Sequence, residues 1–245
     1  MTGTENRILN ATEVVAGYTP EVDILTGINL YVDRGEVVGV IGPNGAGKST
    51  FVKAVFGLVP VRSGTVELNG ESVTNKPAHE LVAMGIGYVP QLANTFPSLT
   101  VEENLRMGLY LRPKAWDERF AAVADLFPLV ADRRNQRAGL LSGGERQMVA
   151  MSRALMMDPS LILLDEPSAG LSPVNQDLVF EQVTRIATAG VSILMVEQNA
   201  RRCLQIADRA YVLDQGKNAY TGTGNELLHD PNVIDLYLGT LGRAA

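Results

Sequence analysis

The sequence predicts an α/β fold with an antiparallel β subdomain and a helical insertion. Three observations support this prediction. Apolar runs typical of buried strands alternate with helical periodicity over 144–214. The first part of the chain, 8–73, is rich in β-forming residues and turn signals. Between these parts, 92–140 shows helical periodicity only.

The N-terminal part is expected to consist mainly of strands. The predicted elements are β structure at 8–18 and 25–42, a helix at 48–59, a hairpin at 63–73 and a short strand at 85–91. Turns are expected at Gly27, in "DRGE" and at Asn69-Gly70, because glycine and asparagine tolerate turn conformations.

Helices and strands alternate in the rest of the chain. The predicted helices are 98–113, 115–134, 144–157, 173–188, 199–207 and a C-terminal one, and the predicted strands are 161–165, 191–197 and 209–214. Thr100 followed by Glu103 predicts a capping box. We therefore expect one domain, 1–245, in which 1–91 and 141–245 form the core with its β subdomain and 92–140 forms a helical subdomain.

Charge and cysteine content restrict the possible classes of protein. The 245 residues carry a formal net charge of −6, from 21 basic and 27 acidic side chains, which argues against a nucleic-acid partner. The single cysteine, Cys203, leaves no disulfide framework and no zinc site, and a free thiol fits a reducing cytosol. The N-terminus lacks the apolar core of a signal peptide, and no apolar run approaches the ~18 residues that span a bilayer. We therefore expect a cytoplasmic chain, with other chains crossing any membrane.

A glycine-rich phosphate-binding loop is the clearest functional motif. "GPNGAGKST" follows the apolar strand "VVGVI" and opens a helix, which is the context of a P-loop. Its glycines let backbone N–H groups approach phosphate oxygens, and the helix N-terminus adds positive charge. Lys48 is expected to contact the β- and γ-phosphates of ATP, and Ser49 to bind Mg²⁺. The expected nucleotide-binding residues of this motif are Gly42, Pro43, Asn44, Gly45, Ala46, Gly47, Lys48, Ser49 and Thr50.

A pair of acids follows the apolar strand in "LILLDEPSAG". Asp165 stands at the carboxyl end of this strand, where α/β sheets bind ligands, and is expected to hold Mg²⁺. Glu166 can take a proton from the attacking water. The alternative is that both acids lie in a solvated loop at the end of the strand and have no catalytic role. The neighbouring P-loop favours the catalytic interpretation.

A second candidate anion site lies in "LLSGGERQMVAMSRALMMDPS". Ser142, Gly143 and Gly144 precede a helix, so that a hydroxyl and glycine amides meet at a positive helix end. The alternative is that Ser142 only caps the helix.

Along essentially its whole length the sequence resembles the nucleotide-binding subunits of ATP-binding cassette (ABC) transporters. The matching motifs are "GPNGAGKST", Gln91 in "YVPQ", "LSGGERQ", "LILLDEP" and "SAGLSP". The resemblance implies a P-loop NTPase core of the ABC type, and two subunits packed head to tail. The residues implied to close on the ATP of the partner subunit are Leu141, Ser142, Gly143, Gly144 and Glu145.

The resemblance also implies roles for single residues. Gln91 would contact Mg²⁺ and the attacking water, and would link the ATP site to the helical insertion, which docks on membrane subunits. Tyr18 would stack on adenine; the alternative is a plain strand-end tyrosine. The loop 168–173 would run along the dimer interface.

Two positions depart from the family pattern. Ser172 stands where the interface loop often carries aspartate, and Gln198 stands where the family has a histidine that contacts the terminal phosphate. Because Glu166 and Lys48 are both present, we predict a working ATPase with Gln198 as a catalytic residue. A nucleotide-binding regulatory subunit without turnover is the alternative.

Within the family, "RAGLLSGGERQMVAMSRALM", "VEQN" and "ADRAYVLDQGK" look most like the ATPase subunits of branched-chain (hydrophobic) amino-acid importers. The implied partners are a second ATPase subunit, identical or different, two integral membrane permease subunits and, indirectly, a periplasmic or extracellular solute-binding protein. The chain would lie on the inner face of the cell membrane. An apolar surface around Phe96, Leu99 and Val101 is expected to bind a membrane subunit, unless the insertion itself buries it. Urea or amide uptake and a non-transport ABC ATPase remain alternatives.

Overall fold

Two separate β-sheets organise the computed structural model, which describes residues 6–92 and 94–235. Its strands are β1 (Arg7–Ala16), β2 (Leu25–Asp33), β3 (Val37–Ile41), β4 (Val61–Leu68), β5 (Glu71–Ser72), β6 (Ile86–Val89), β7 (Leu161–Asp165), β8 (Ser192–Val196), β9 (Arg209–Asp214) and β10 (Lys217–Thr223). The first sheet is antiparallel, in the order β2-β1-β4-β5. The second sheet has the order β10-β9-β3-β8-β7-β6 and is parallel except at β10.

Helices follow most strands of the second sheet. They are α1 (Lys48–Val55), α2 (Ala78–Ala83), α3 (Val101–Gly108), α4 (Trp116–Leu126), α5 (Leu129–Asp132), α6 (Gly143–Leu155), α7 (Pro173–Thr188), α8 (Ala200–Ile206), α9 (Gly224–His229) and α10 (Pro231–Val233). Within the described residues, 92–140 contributes helices and no strand to either sheet. The α/β class is thus confirmed, while the subdomain boundaries remain our proposal. No helix in the described part of the chain has the length and apolarity that crossing a lipid bilayer requires.

Local sequence patterns correctly predict the first and last residues of several elements. β7, α7 and β9 have their predicted bounds, and the capping box of Thr100 and Glu103 is present at the start of α3. Asn69 and Gly70 form the hairpin turn with φ of 52° and 78°, the left-handed values that a two-residue turn of type I′ needs. α2 is a helix that the sequence patterns did not predict.

Two elements differ from the prediction for identifiable reasons. Gly27 does not form a turn: it lies inside β2, where the pairing with β1 shifts between Val14–Ile28 and Val15–Thr26, as in a β-bulge. The predicted helix 115–134 is divided into α4 and α5 at Pro128, since proline lacks an N–H and its ring collides with the preceding turn.

The apolar core lies on both faces of the parallel sheet. In β7, Ile162 and Leu164 belong to one buried cluster, and Leu161 and Leu163 to the other. A strand covered on both faces explains the unbroken apolar run "LILL". Val101 belongs to the first cluster and is fully buried, so its predicted place on an exposed docking surface is wrong.

Gly216 connects the two sheets. Its N–H donates to the Ala46 carbonyl (3.1 Å), and its carbonyl accepts from the Thr26 N–H (2.9 Å). Its φ is +76°, and a Cβ at this position would collide with the Ile24 carbonyl oxygen. Gly35 has a similar φ of +73°, but a Cβ there would meet no described atom within 4 Å apart from those of Gly35 itself and its two chain neighbours.

Alanine at these two glycines should therefore have unequal effects on stability. Gly35→Ala carries only the cost of a left-handed backbone, about 1–2 kcal/mol of unfolding free energy. Gly216→Ala adds a collision, and we expect a loss of about 2–5 kcal/mol. Chemical denaturation of both variants measures the difference. Equal losses would contradict the role of Gly216 as a junction between the sheets.

Candidate nucleotide-binding and catalytic site

Parallel strands that end at one edge of the sheet bring the candidate residues together. Val40 of β3 pairs with Val196 of β8, and Val196 pairs with Asp165 of β7. The segments that follow these strands and β6 carry the P-loop, Gln198, Glu166 and Gln91. This edge is the carboxyl end of the sheet, where open α/β folds bind their ligands.

The P-loop needs its glycines for geometric reasons. Gly42, Gly45 and Gly47 have φ of 146°, 81° and 97°, which side chains with a Cβ rarely adopt. A Cβ at Gly42 would also collide with the Leu213 carbonyl oxygen. α1 begins at Lys48, directly after the loop, so that the positive end of this helix faces the same cleft.

The side chain of Lys48 folds back onto the P-loop and binds its backbone. Lys48 is 4% exposed, and Nζ donates to the carbonyls of Gly42 (2.9 Å) and Pro43 (3.1 Å). Burial lowers the pKa of the Lys48 ammonium, and the carboxylates of Glu166, Asp165 and Glu197 oppose this shift. Lys48 thus brings positive charge to a cleft of about 290 Å³. The cleft is lined by Ile24, Asn44, Gly45, Gly47, Lys48, Ser49, Thr50 and Glu166.

Asp165 has the properties of a ligand for a hard cation. It is 1% exposed, and its Oδ2 accepts from the Tyr88 hydroxyl at 3.4 Å. Its Oδ1 is buried and has no hydrogen-bond partner among the described residues. Burial and the charge of Asp165 both raise the pKa of the Tyr88 hydroxyl, which therefore stays a donor.

The oxygen donors at this edge fit Mg²⁺. The carboxylate of Asp165 and the hydroxyl of Ser49 are the ligand types that this ion prefers. Within 6–92 and 94–235, no group of three or more His, Cys, Asp or Glu side chains could hold a metal ion alone. Mg²⁺ usually takes one or two protein side chains and completes its shell with phosphates and water.

Glu166 and Gln91 are distant in the sequence but contact each other. The Gln91 Nε2 donates to Glu166 Oε2 at 2.8 Å. Glu166 has a φ of 47°, and its N–H donates to the Val196 carbonyl at 2.9 Å, which extends the sheet by one residue. The contact orients the carboxylate that the sequence marks as the candidate base.

Gln198 points its side chain at the P-loop. It follows β8, and its Nε2 donates to Asn44 Oδ1 at 3.1 Å. The structure therefore places this residue in contact with Asn44, which lines the cleft, although the residue type differs from the family pattern.

In the part of the chain that the structure describes, the residues that line this cleft include neither Tyr18 nor any residue of 141–145. Ser142 is exposed, and its Oγ accepts from the Glu145 N–H (3.3 Å), while Glu145 Oε2 accepts from the Ser142 N–H (2.8 Å). The hydrogen bond from the Ser142 N–H lowers the pKa of Glu145. Ser142 is thus a helix cap, and its anion-binding role stays a prediction. Tyr18 is 56% exposed, and its stacking role also stays a prediction.

Glu197 is a buried carboxylate at this edge that the motifs did not reveal. It is 1% exposed and accepts hydrogen bonds from Ser168 and from the N–H groups of Gln198 and Asn199. Burial raises the pKa of Glu197, and the Ser168 donors oppose this shift. The signal that could have found it is an acid at the end of an apolar strand, in "VSILMVE", as Asp165 is in "LILLD".

A P-loop on a strand-loop-helix unit, with an acid pair at the end of a nearby parallel strand, defines a P-loop ATPase. The family profile described as "ABC transporter" matches residues 25–169. The chain belongs to this family and is an ATPase. Proteins of this family bind ATP.

Curated relatives cover nearly the whole chain. It is 42% identical to the probable branched-chain amino acid transport ATP-binding protein LivF of Archaeoglobus fulgidus, over 95% of this chain and 99% of that one. It is also 42% identical to the high-affinity branched-chain amino acid transport ATP-binding protein BraG of Pseudomonas aeruginosa, over 92% and 97%. The lipopolysaccharide export system ATP-binding protein LptB of Haemophilus influenzae is 36% identical, over 95% and 97%.

Solved structures confirm the fold. The ADP conformation of MJ1267, an ATP-binding cassette of an ABC transporter, matches with a TM-score of 0.83 and 29% identity, over 95% of this chain and 99% of that one. A nucleotide-free ATP-binding cassette from an ABC transporter matches with a TM-score of 0.84 at the same identity and coverage.

Proposed function

We propose that this chain is the ATP-hydrolysing subunit of an ABC importer of branched-chain or other hydrophobic amino acids. The observation that carries the substrate class is the 42% identity to two branched-chain amino acid transport ATP-binding proteins over more than nine tenths of this chain. Lipopolysaccharide export is a second candidate, because LptB is 36% identical over 95% of this chain. The lower identity places it second.

Nucleotide binding is assigned to the P-loop. The loop amides and Lys48 bind the β- and γ-phosphates, and Tyr18 provides a stacking surface for adenine. Ser49, Asp165 and Gln91 would hold Mg²⁺, which neutralises phosphate charge when it is bound. The buried Oδ1 of Asp165, which has no hydrogen-bond partner in the part of the chain that the structure describes, supports this assignment.

Hydrolysis is assigned to Glu166 and Gln198. Glu166 accepts a proton from the attacking water, with its carboxylate oriented by Gln91. Gln198 donates from its amide to the terminal phosphate. An amide cannot ionise, and a neutral donor makes a hydrogen bond roughly half as strong as a charged one. Gln198 therefore positions the phosphate more than it stabilises charge.

Replacing the base should separate binding from hydrolysis. Glu166→Gln keeps the shape of the side chain but removes its basic oxygen. We expect unchanged ATP affinity, accumulation of an ATP-bound dimer and turnover reduced at least ~100-fold. Nucleotide binding, size-exclusion chromatography with ATP and phosphate release measure the three effects. Near-normal turnover would remove Glu166 from the mechanism.

The second anion site is proposed to act on the partner subunit. Ser142 is exposed at the start of α6, and residues 141–145 do not line the cleft of their own chain in the part of the molecule that the structure describes. In a head-to-tail dimer, identical or mixed, this helix end faces the ATP on the partner's P-loop. The loop 168–173 runs between the two subunits.

Mixing variants tests this arrangement. Lys48→Ala chains keep residues 141–145 intact, and Ser142→Arg chains keep the P-loop intact, so a mixed dimer has one complete site. We expect mixing to restore ATPase activity that neither variant shows alone. Lys48→Ala chains mixed with chains carrying both substitutions are the matched control and should stay inactive. No recovery in mixed dimers that demonstrably form would contradict action across the interface.

The docking surface for membrane subunits is proposed to be an apolar groove. Its lining includes Phe96, Met107 and Tyr110, which are 44%, 52% and 53% exposed. Phe96 is held in place by the buried Asn104, whose Oδ1 accepts from the Phe96 N–H (2.8 Å) and whose Nδ2 donates to its carbonyl (3.1 Å). Tyr88, the donor to Asp165, lines the same groove. The groove therefore shares a residue with the ATP site.

Purification of the chain from its native membrane tests both partner and substrate class. We expect two permease subunits to co-purify, and ATPase activity of the reconstituted complex to rise with a branched-chain amino acid and its solute-binding protein. Stimulation by lipopolysaccharide instead would favour the second candidate.

Changing the groove should uncouple assembly from hydrolysis. Phe96→Asp places a charge on the apolar surface, and we expect loss of the permease subunits with basal ATPase retained. Phe96→Leu, which keeps an apolar side chain, is the matched control and should retain the permeases. Retention of the permease subunits by a folded Phe96→Asp chain would exclude this docking surface.

A further inference from the structure

We infer that Glu197 is a positioning residue, which ties the loop 168–172 to Gln198 and so couples the helix end at Ser142 to the ATP site of the same chain. The inference rests on the proposed function, because it takes Gln198 as the residue that contacts the terminal phosphate. It gives Glu197 a role in the ATPase mechanism. It also identifies a chain of contacts between the helix end at Ser142 and the ATP site.

The carboxylate of Glu197 holds two segments at once. Its Oε1 accepts from the Ser168 N–H at 2.9 Å. Its Oε2 accepts from the Ser168 hydroxyl at 2.9 Å and from the Gln198 N–H at 3.1 Å, with the Asn199 N–H at 3.4 Å. Three of these donors are backbone groups, which cannot become acceptors. Both terminal atoms of the side chain at position 197 must therefore accept hydrogen bonds. A carboxylate has two oxygens that accept, whereas an amide has only one.

A second side chain reinforces the same connection. Gln176 of α7 donates to the Leu171 carbonyl at 3.2 Å, and its Oε1 accepts from the Asn199 Nδ2 at 3.3 Å. The loop is thus tied to the segment after β8 at both of its ends. Such a double attachment transmits displacement better than a single hydrogen bond, because rotation about one contact is blocked by the other.

The other face of the loop contacts the helix end at Ser142. A Cβ at Gly143 would lie 3.0 Å from Leu171 Cδ2, and one at Gly144 would lie 2.9 Å from Asn175 Oδ1. These glycines therefore pack closely against the loop and the start of α7. Movement of this helix end displaces the loop 168–172, and the hydrogen bonds from Ser168 carry this displacement to Glu197.

The path ends at the P-loop. Glu197 accepts from the Gln198 N–H, and the Gln198 side chain donates to Asn44 at 3.1 Å. In the proposed dimer the helix end at Ser142 contacts the partner's ATP, so the path links one ATP site to the other. Closing of one site then changes the position of Gln198 in the other. A role in stability alone would leave Gln198 unaffected, which makes the two possibilities separable.

The test is a double-mutant cycle on the purified full-length chain. Glu197→Gln, Gln198→Ala and the double variant are compared for kcat, KM for ATP and thermal unfolding. Glu197→Gln keeps the shape but loses an acceptor on one side, and we expect kcat to fall about three- to tenfold, the factor for one hydrogen bond. We expect KM to stay within about twofold, because the phosphate contacts of the P-loop remain. In the Gln198→Ala background, Glu197→Gln should cause no further loss of kcat.

Ser192→Ala is the matched control. Ser192 is a buried polar residue at the opposite end of β8, where its Oγ accepts from the Gly35 N–H at 2.9 Å. We expect it to lower the unfolding temperature without changing kcat. If Glu197→Gln does not fold, Ser168→Ala replaces it, because it removes one hydroxyl from the same link. Its loss of kcat should also vanish in the Gln198→Ala background.

Three results would overturn the inference. They are losses that multiply in the double variant, unchanged kcat in a folded Glu197→Gln chain, and unchanged kcat in Gln198→Ala. The first two results leave the proposed ATPase mechanism intact, whereas unchanged kcat in Gln198→Ala also removes Gln198 from that mechanism. The role of Glu166 as the base is tested separately, by Glu166→Gln. High turnover in that variant would contradict the mechanism whatever the outcome of the cycle.

Discussion

Because β3, β8 and β7 pair in parallel and in register, their carboxyl ends meet at one edge of a buried sheet. The ladder continues one residue beyond the strands: the Glu166 N–H donates to the Val196 carbonyl, and the Glu197 N–H to the Val40 carbonyl. These bonds fix the backbone from which both acids project. A shift of one residue in this register would turn each acid to the opposite face of the sheet. The site therefore depends on the pairing of apolar strands that contain no catalytic residue before their last position.

Three carboxylates and one ammonium share this edge, and their surroundings give them different properties. Glu197 is buried and satisfied by donors, so it holds the chain together. Asp165 is equally buried but keeps one oxygen without a partner in the described structure, which suits a cation. Glu166 is only partly buried and accepts from one flexible amide, which suits proton transfer. Lys48 lies among them and opposes the repulsion that three negative charges would otherwise create.

The segment that includes β6 connects the apolar groove with this edge. Tyr88 lines the groove, packs its ring 4.7 Å from that of Phe56 and donates to Asp165. Gln91, just after the strand, donates to Glu166. Displacement of the groove is therefore transmitted to Asp165 and Glu166 through the short segment 88–91. In the proposed transporter complex, this segment is the physical connection between the docking surface for a membrane subunit and the ATP site.

The sequence alone is enough to predict the P-loop, the acid pair, the family and the bounds of β7, α7 and β9, because each depends on local residue types and spacings. It did not determine the bulge at Gly27 or the burial of Val101. Nor did it show that Gln91 contacts Glu166, 75 residues away, or that Glu197 contacts Ser168, 29 residues away. The reason is physical: a hydrogen bond or a buried position depends on atoms that only folding brings together. These properties depend on the tertiary structure, through the register of the parallel sheet, the packing of α6 against β6 and the packing of α3 against α6.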